Sequence, residues 1–148
     1  MQTLLAKAPT AARILFGLIF TVFGLNGFLS FIPMPPMPEA AGTLLGAMVG
    51  SGYLMALVKA TEIGVGLLLL SNRFVPLALT IAAPIVLNIV LFHAVLAPAG
   101  LLVPVVLLAF ELFLAWSYRD AFKPLLQAKN EPAIAERSES RQTAESHA

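Results

Sequence analysis

The sequence contains no cysteine and few charged residues. Without cysteine the chain can form no disulfide, thiolate nucleophile, iron–sulfur cluster or covalent c-type haem. Only 11% of the 148 residues are charged, whereas 59% are hydrophobic and the mean hydropathy is +0.89. Soluble domains average about 25% charged residues. The composition therefore indicates a membrane protein, and it excludes a soluble enzyme domain, a nucleic-acid-binding protein and a disordered protein.

The charges that are present lie mostly near the carboxyl terminus. Residues 1–118 carry seven of the 17 charged side chains, and residues 119–148 carry the other ten. After residue 126 the chain is rich in glutamate, serine, arginine and glutamine and has scarcely a large apolar residue. We therefore predict a membrane domain over residues 1–126 and a disordered cytoplasmic tail over residues 127–148.

Four apolar stretches approach the length of about 20 residues that crosses a bilayer. The predicted transmembrane helices cover residues 12–31, 52–70, 74–96 and 101–118. Between the first two, a proline-rich connector leads into a short helix over residues 39–50, which is too short to span and should lie at the outer surface. The predicted fold is all-α: a polytopic membrane protein built as a four-transmembrane-helix bundle.

The positively charged residues predict how this bundle is oriented. Eight Lys or Arg residues lie outside the predicted spans or at their ends: Lys7, Arg13, Arg73, Arg119, Lys123, Lys129, Arg137 and Arg141. All eight lie before or at the start of span one, between spans two and three, or after span four. Because cytoplasmic loops carry an excess of Lys and Arg, both termini are expected in the cytoplasm.

Polar residues inside the predicted spans are the candidate ligand-binding residues, because such groups are costly in lipid and usually face the bundle interior. Lys59 and Glu62 are three residues apart, which places them on one helix face as an ion pair or a neutral hydrogen-bonded pair. Such a pair either orients the helix or forms a site for a polar head group or a proton. Asn26 and Asn88 share a level in the outer half, as interhelical hydrogen bonds or ligand contacts. His93 lies near the outer interface.

Glu111 is predicted in the inner half of span four, and we interpret it as a protonated carboxyl that is hydrogen-bonded to a neighbouring helix. Its different depth argues against a metal site shared with Glu62 and His93, so no metal is predicted. The only other histidine is His147 in the tail, which excludes bis-histidine haem ligation. The sequence shows no nucleophile–base pair or phosphate loop, and we predict no catalytic residue.

Small residues recur every four positions in two of the predicted helices. One stripe comprises Gly52, Ala56, Ala60 and Gly64 in span two, and another comprises Gly42, Gly46 and Gly50 in the short helix. Gly17 and Gly24 have a similar role in span one. These stripes predict close helix packing, within the bundle or between copies of the chain.

Several segments together, in this order, resemble the DoxX family of small four-span bacterial membrane proteins. They are residues 13–17 (RILFG), 24–26 (GLN), 61–63 (TEI), 66–70 (GLLLL), 83–88 (APIVLN) and 92–93 (FH). The chain departs from the family at Gly27, where many relatives carry a lysine, and its own cation is Lys59. The resemblance implies a multi-pass protein of the bacterial inner (plasma) membrane that is associated with redox enzymes, although most members have no established reaction.

The sequence is compatible with three functions. The bundle could bind a quinone or another membrane lipid through Asn26, Lys59, Glu62, Asn88 and His93. It could instead be a structural or assembly partner of a redox enzyme, or a small transporter or proton pathway that uses the Lys59–Glu62 pair and Glu111. The expected partners are membrane lipid, a redox-enzyme protein or a second copy of the chain, with no nucleic acid.

Overall fold

The computed structural model describes residues 2–129, with side chains from Lys7 onward, and this part of the chain is helical and contains no strand. Its helices are α1 (Gln2–Leu29), α2 (Glu39–Gly50), α3 (Leu54–Leu70), α4 (Val75–Leu96), α5 (Leu102–Ser117) and α6 (Arg119–Phe122). Two short 3₁₀ turns follow α4 and α6, at Pro98–Gly100 and Lys123–Leu126. The all-α prediction is confirmed for these residues. Most of the predicted tail, including Arg137, Arg141 and His147, lies outside the described residues.

The helix bounds agree closely with the apolar pattern except at the amino terminus. Helix α2 covers the predicted residues 39–50, and α3, α4 and α5 begin one or two residues later than predicted. Helix α1 begins at Gln2 rather than at residue 12. The prediction followed hydropathy, which marks where a helix enters lipid. The helix itself extends beyond the apolar stretch through residues 2–11, which include good helix formers such as leucine, alanine and lysine, and it also contains Pro9.

Two helices are long and apolar enough to cross a membrane unaided: the Lys7–Leu29 part of α1, and α4. Helices α3 and α5 have 17 and 16 residues. At 1.5 Å per residue they extend about 25 Å, slightly less than a bilayer core of about 30 Å. Each joins a neighbour at a sharp bend, α2 to α3 at 90° and α5 to the Arg119–Leu126 segment at 77°. The fold therefore provides two to four candidate membrane spans.

The four long helices form a closed ring in the order α1, α3, α4, α5. Helix α1 packs most extensively on α3, α4 packs on α5, and the contacts of α3 with α4 and of α5 with α1 complete the ring. Helix α2 lies across the end of this ring and contacts α3 and α4. Its only fully buried side chain is that of Ala41.

The apolar core lies toward the end of the bundle that the charge pattern assigns to the cytoplasm. Its buried members are Ala12, Phe16, Phe20, Val65, Leu69, Val75, Ala78, Leu79, Ala82, Val86, Leu107 and Leu114. The rings of Phe16 and Phe20 meet edge to face at 4.7 Å, and Phe110 of α5 lies 6.5 Å from Phe16. Aromatic pairs in this geometry add to the packing energy. The other end of the bundle is packed less densely.

Glycines allow α1 and α3 to approach closely. A Cβ atom on Gly66 would lie 2.7 Å from the Thr21 nitrogen and 2.8 Å from the Gly17 oxygen, so a side chain does not fit there. Gly24 likewise faces Ile63 of α3. The prediction that Gly17 and Gly24 mediate close packing is therefore confirmed within the bundle.

The other two small-residue stripes do not pack inside the bundle. Gly52, which precedes α3, and Ala56, Ala60 and Gly64 on α3 are exposed, and no atom of the described residues lies within 4 Å of a Cβ built on Gly64. The same holds for Gly46 and Gly50 of α2. Within the described residues the α2 stripe therefore packs on no other helix, and packing between copies of the chain stays a prediction. Helix α2 meets the bundle through a neighbouring face, which carries the partly or fully buried residues Ala41, Leu45 and Met48.

Candidate functional site

Lys59 and Glu62 form an ion pair on one face of α3, as their spacing predicts. The Lys59 Nζ atom lies 3.0 Å from Oε1 and 2.8 Å from Oε2 of Glu62. The Glu62 side chain is 5% exposed and the Lys59 side chain is 22% exposed. An ammonium group has three N–H donors. If each carboxylate oxygen accepts one of them, the third N–H of Lys59 remains for another acceptor.

The stem of Lys59 lies in a space that a glycine of α1 leaves open. A Cβ atom on Gly27 would overlap the Cγ and Cδ atoms of Lys59. A Cβ on Gly24, one turn along α1, would lie 3.1 Å from the Lys59 carbonyl oxygen. The absence of side chains at these two positions therefore lets α1 pack over the lysine. The positive charge beside Gly27 is therefore supplied by Lys59 of α3.

A cleft of 190 Å³ opens next to this pair, at the end of the bundle away from the apolar core. It lies between the end of α1, the end of α2 and the start of α3, and its lining residues are Gly27, Phe28, Val49, Gly52, Tyr53, Met55 and Ala56. Lys59 is not among them, but it contacts Gly27 and lies one helical turn from Met55 on the same face of α3. The cleft is smaller than the roughly 300–1,000 Å³ of most small-molecule pockets.

Asn26 bonds to its own chain rather than to another helix. Its Oδ1 atom accepts a hydrogen bond from the Ile32 nitrogen at 2.6 Å, and its Nδ2 donates to the Ile32 oxygen at 3.3 Å. Between them, Ser30 has a left-handed backbone with a φ of 50°. The amide of Asn26 thus closes the turn by which the chain leaves α1. These hydrogen bonds fix the turn that follows Gly27 and Phe28, two of the residues that line the cleft.

Asn88 and His93 are not brought to the ion pair. Asn88 is exposed on α4, at about the depth of Lys59. His93 lies about 15 Å further toward the end of the bundle than Glu62, counting 1.5 Å per residue from the α3–α4 turn. Its Nδ1 is 2.8 Å from the Ile89 oxygen, and its ring packs against Gly100 in the turn before α5. Of the five predicted ligand-binding residues, the structure therefore pairs only Lys59 and Glu62.

Glu111 is buried on the inward face of α5, between Leu107 and Leu114. It is 6% exposed, and its Oε2 atom meets no hydrogen-bond partner among the described residues. We expected a hydrogen bond to a neighbouring helix, and for this oxygen that expectation is wrong. The other buried residues of α5, Pro104, Leu107 and Leu114, are apolar and offer it no side-chain donor. Within residues 2–129, no three His, Cys, Asp or Glu side chains come together as a metal site.

Arg13 is a buried functional group that the charge pattern did not reveal. It is 7% exposed, and its Nη1 donates from α1 to the carbonyl oxygens of Leu69 and Leu70 at the end of α3. The last carbonyls of a helix lack intrahelical donors, so this guanidinium satisfies them and complements the negative end of the helix dipole. One feature of the sequence could have indicated that Arg13 is buried: it falls inside the predicted first span, whereas Lys7 lies outside it.

Comparison of the chain with protein-family models, curated proteins and solved structures gives no match.

Proposed function

We propose that this protein is an integral membrane protein that binds the polar head of a membrane lipid, such as a quinone, beside the Lys59–Glu62 pair. The observation that carries the proposal is a buried carboxylate held by a lysine that is itself partly exposed and has an N–H donor to spare. A carbonyl or anionic oxygen of a ligand would accept that hydrogen bond. Gly27 connects the lysine to the adjoining cleft.

The small size of the cleft supports a lipid rather than a water-soluble ligand. A volume of 190 Å³ accommodates a head group of about one ring and little more. A ligand that fits only its head group into the protein must leave the rest of its body elsewhere, and a lipid tail remains favourably in the bilayer. The cleft lining includes Phe28 and Tyr53, whose rings suit contact with a flat, apolar head group.

The proposal includes the membrane topology and the family. All four long helices cross the membrane, both termini lie in the cytoplasm, and the cleft opens at the outer side. The unequal charge distribution supports this orientation, since among residues 2–129 the outer connectors carry Glu39 and no Lys or Arg. The chain is proposed to be a DoxX-like protein of the bacterial inner membrane that serves redox metabolism. The support for this is the set of sequence segments that resemble the DoxX family and occur in the same order.

The test is lipid analysis of the purified full-length protein. Wild type, Lys59→Met and Glu62→Ala are extracted in a mild detergent, and the bound lipids are compared with those of the source membrane by mass spectrometry. Lys123→Met is the matched control, because Lys123 is exposed at the opposite end of the bundle. We expect quinone to be enriched in wild type and in the control and to be lost from both site variants. Equal lipid content in wild type and Lys59→Met would reject the proposal.

An assembly role is the alternative function, and the exposed stripe of Ala56, Ala60 and Gly64 on α3, with Gly52 just before the helix, favours it. Small residues let a second helix approach closely in lipid. Gly64→Leu tests this role, because no atom of the described residues lies within 4 Å of a Cβ at that position. If α3 docks a redox enzyme, crosslinking in native membranes gives a specific protein partner for wild type that Gly64→Leu lacks. Recovery of the same crosslinked species from both would reject the assembly role for this face.

A further inference from the structure

Glu111 lies outside the proposed lipid site. Its neighbours along the buried face of α5 are Pro104, Leu107 and Leu114, at the three- and four-residue spacing of a helix face that points into a bundle. Phe110, the residue before it, lies 6.5 Å from Phe16 of α1. Glu111 is therefore at about the level of Phe16, whereas Glu62 lies close to the level of Gly24, about 12 Å further along α1. The Phe16–Phe20 pair extends from the level of Glu111 part of the way towards that of Glu62.

No cation neutralises Glu111 among residues 2–129. The ionisable groups on the helices around it are Lys7 and Arg13 on α1, Lys59 and Glu62 on α3, His93 on α4, and Tyr118 at the end of α5. None of their basic nitrogens lies within 4.0 Å of its carboxyl oxygens, since the salt bridges of this region are Lys59–Glu62 and Lys123–Asp120. Arg13 is engaged with the end of α3 instead.

We propose that Glu111 is a proton-binding site that holds its proton at neutral pH, independently of the lipid site. An ionised carboxylate with no counter-charge is very costly in an apolar interior, so the neutral acid is the form that this position accommodates. Glu62 is the opposite case, because Lys59 supplies its counter-charge at 2.8 Å. The bundle therefore contains one buried carboxyl with a counter-charge, Glu62, and one without, Glu111.

Infrared spectroscopy of the full-length protein in a maltoside detergent tests the proposal, because that detergent has no carbonyl group. A protonated carboxyl gives a C=O band that an ionised carboxylate lacks. At pH 7 we expect this band in wild type and in Glu62→Gln, and its loss in Glu111→Gln. A wild-type spectrum that matches Glu111→Gln in this region overturns the proposal, because Glu111 would then be ionised.

A second measurement does not depend on whether Glu111→Gln folds. A hydrophobic carbodiimide reacts with protonated carboxyls in lipid: the carboxyl oxygen bonds to the central carbon, the proton moves to one nitrogen, and an acyl shift to nitrogen fixes the whole reagent on the side chain. Peptide mapping of treated wild type should find the added mass at Glu111 and not at Glu62, and Lys59→Met should make Glu62 reactive as well. Modification at Glu62 alone, or at neither residue, overturns the proposal.

Discussion

The guanidinium of Arg13 on α1 donates a hydrogen bond to the carbonyl oxygen of Leu69, the next-to-last residue of α3. Both residues are buried, and both belong to the most extensive helix pair of the bundle. The contact joins the amino-terminal part of one candidate span to the carboxyl-terminal end of another. It identifies Arg13 as a structural group as well as one of the charges from which the orientation is predicted.

Replacing Arg13 with glutamine should therefore destabilise the bundle. A hydrogen bond to a charged group contributes about 1.5–3 kcal/mol, and its loss also leaves helix-end carbonyls without a donor. Lys7→Gln is the matched control, because it removes a positive charge from the same helix at an exposed position. Thermal unfolding in detergent should show a clear loss for Arg13→Gln and little change for the control. Equal loss in both variants would mean that only the charge matters.

Gly66 and Gly64, two residues apart on α3, should respond oppositely to alanine. At Gly66 the new Cβ would lie under 3 Å from backbone atoms of α1, so Gly66→Ala should separate the helices and cost about 1–3 kcal/mol. At Gly64 the new Cβ meets no atom of the described residues within 4 Å, so Gly64→Ala should be neutral or stabilise the helix by up to about 1 kcal/mol. Unfolding of both variants in the same detergent measures the difference. A destabilised Gly64→Ala would show that another chain covers this face.

The absence of cysteine allows the proposed topology to be tested with single labels. Ser51 precedes α3 and Ser71 follows it, and both are exposed serines in short turns. If α3 crosses the membrane with the predicted orientation, a membrane-impermeant maleimide should label Ser51→Cys in intact cells, and should label Ser71→Cys only after permeabilisation. Labelling of both cysteines from outside would show that α2 and α3 form a re-entrant pair.

The helices were predictable from the sequence, apart from the start of α1, because apolar stretches interrupted by proline, glycine and polar turns are local features of the chain. The sequence was also sufficient for the Lys59–Glu62 pair, since a spacing of three is a local property of one helix. The partners of Asn26 and Arg13 were not predictable in this way. Whether a polar side chain bonds to its own turn or crosses to another helix depends on how helices are rotated in the bundle, which periodicity does not specify.

The grouping of the candidate site failed for the same reason. Depth along the membrane placed Asn26, Asn88 and His93 near one another, but depth gives only one coordinate of three. The ring order puts α4 diagonally across from α1, and Asn88 is exposed on it. The role of Gly27 could be read only once α3 was packed against α1, because an absent side chain leaves no signal of what fills its space.

Comparison of a Lys59 variant with a Lys59/Glu62 double variant distinguishes a structural ion pair from a binding site. Lys59→Met leaves a buried carboxylate without its counter-charge, and the loss of one partner of such a pair costs about 3–5 kcal/mol. Lys59→Met combined with Glu62→Leu removes both charges, and apolar replacement of a buried ion pair is often neutral or stabilising. Detergent unfolding should therefore show a larger loss of stability for Lys59→Met alone than for the double variant.

The bound lipids of the double variant then decide between the two roles of the pair. If the pair only orients α3, the double variant keeps the bound lipids of wild type. If Lys59 holds a lipid head group, the double variant is stable and has lost its quinone, and that outcome cannot arise from misfolding.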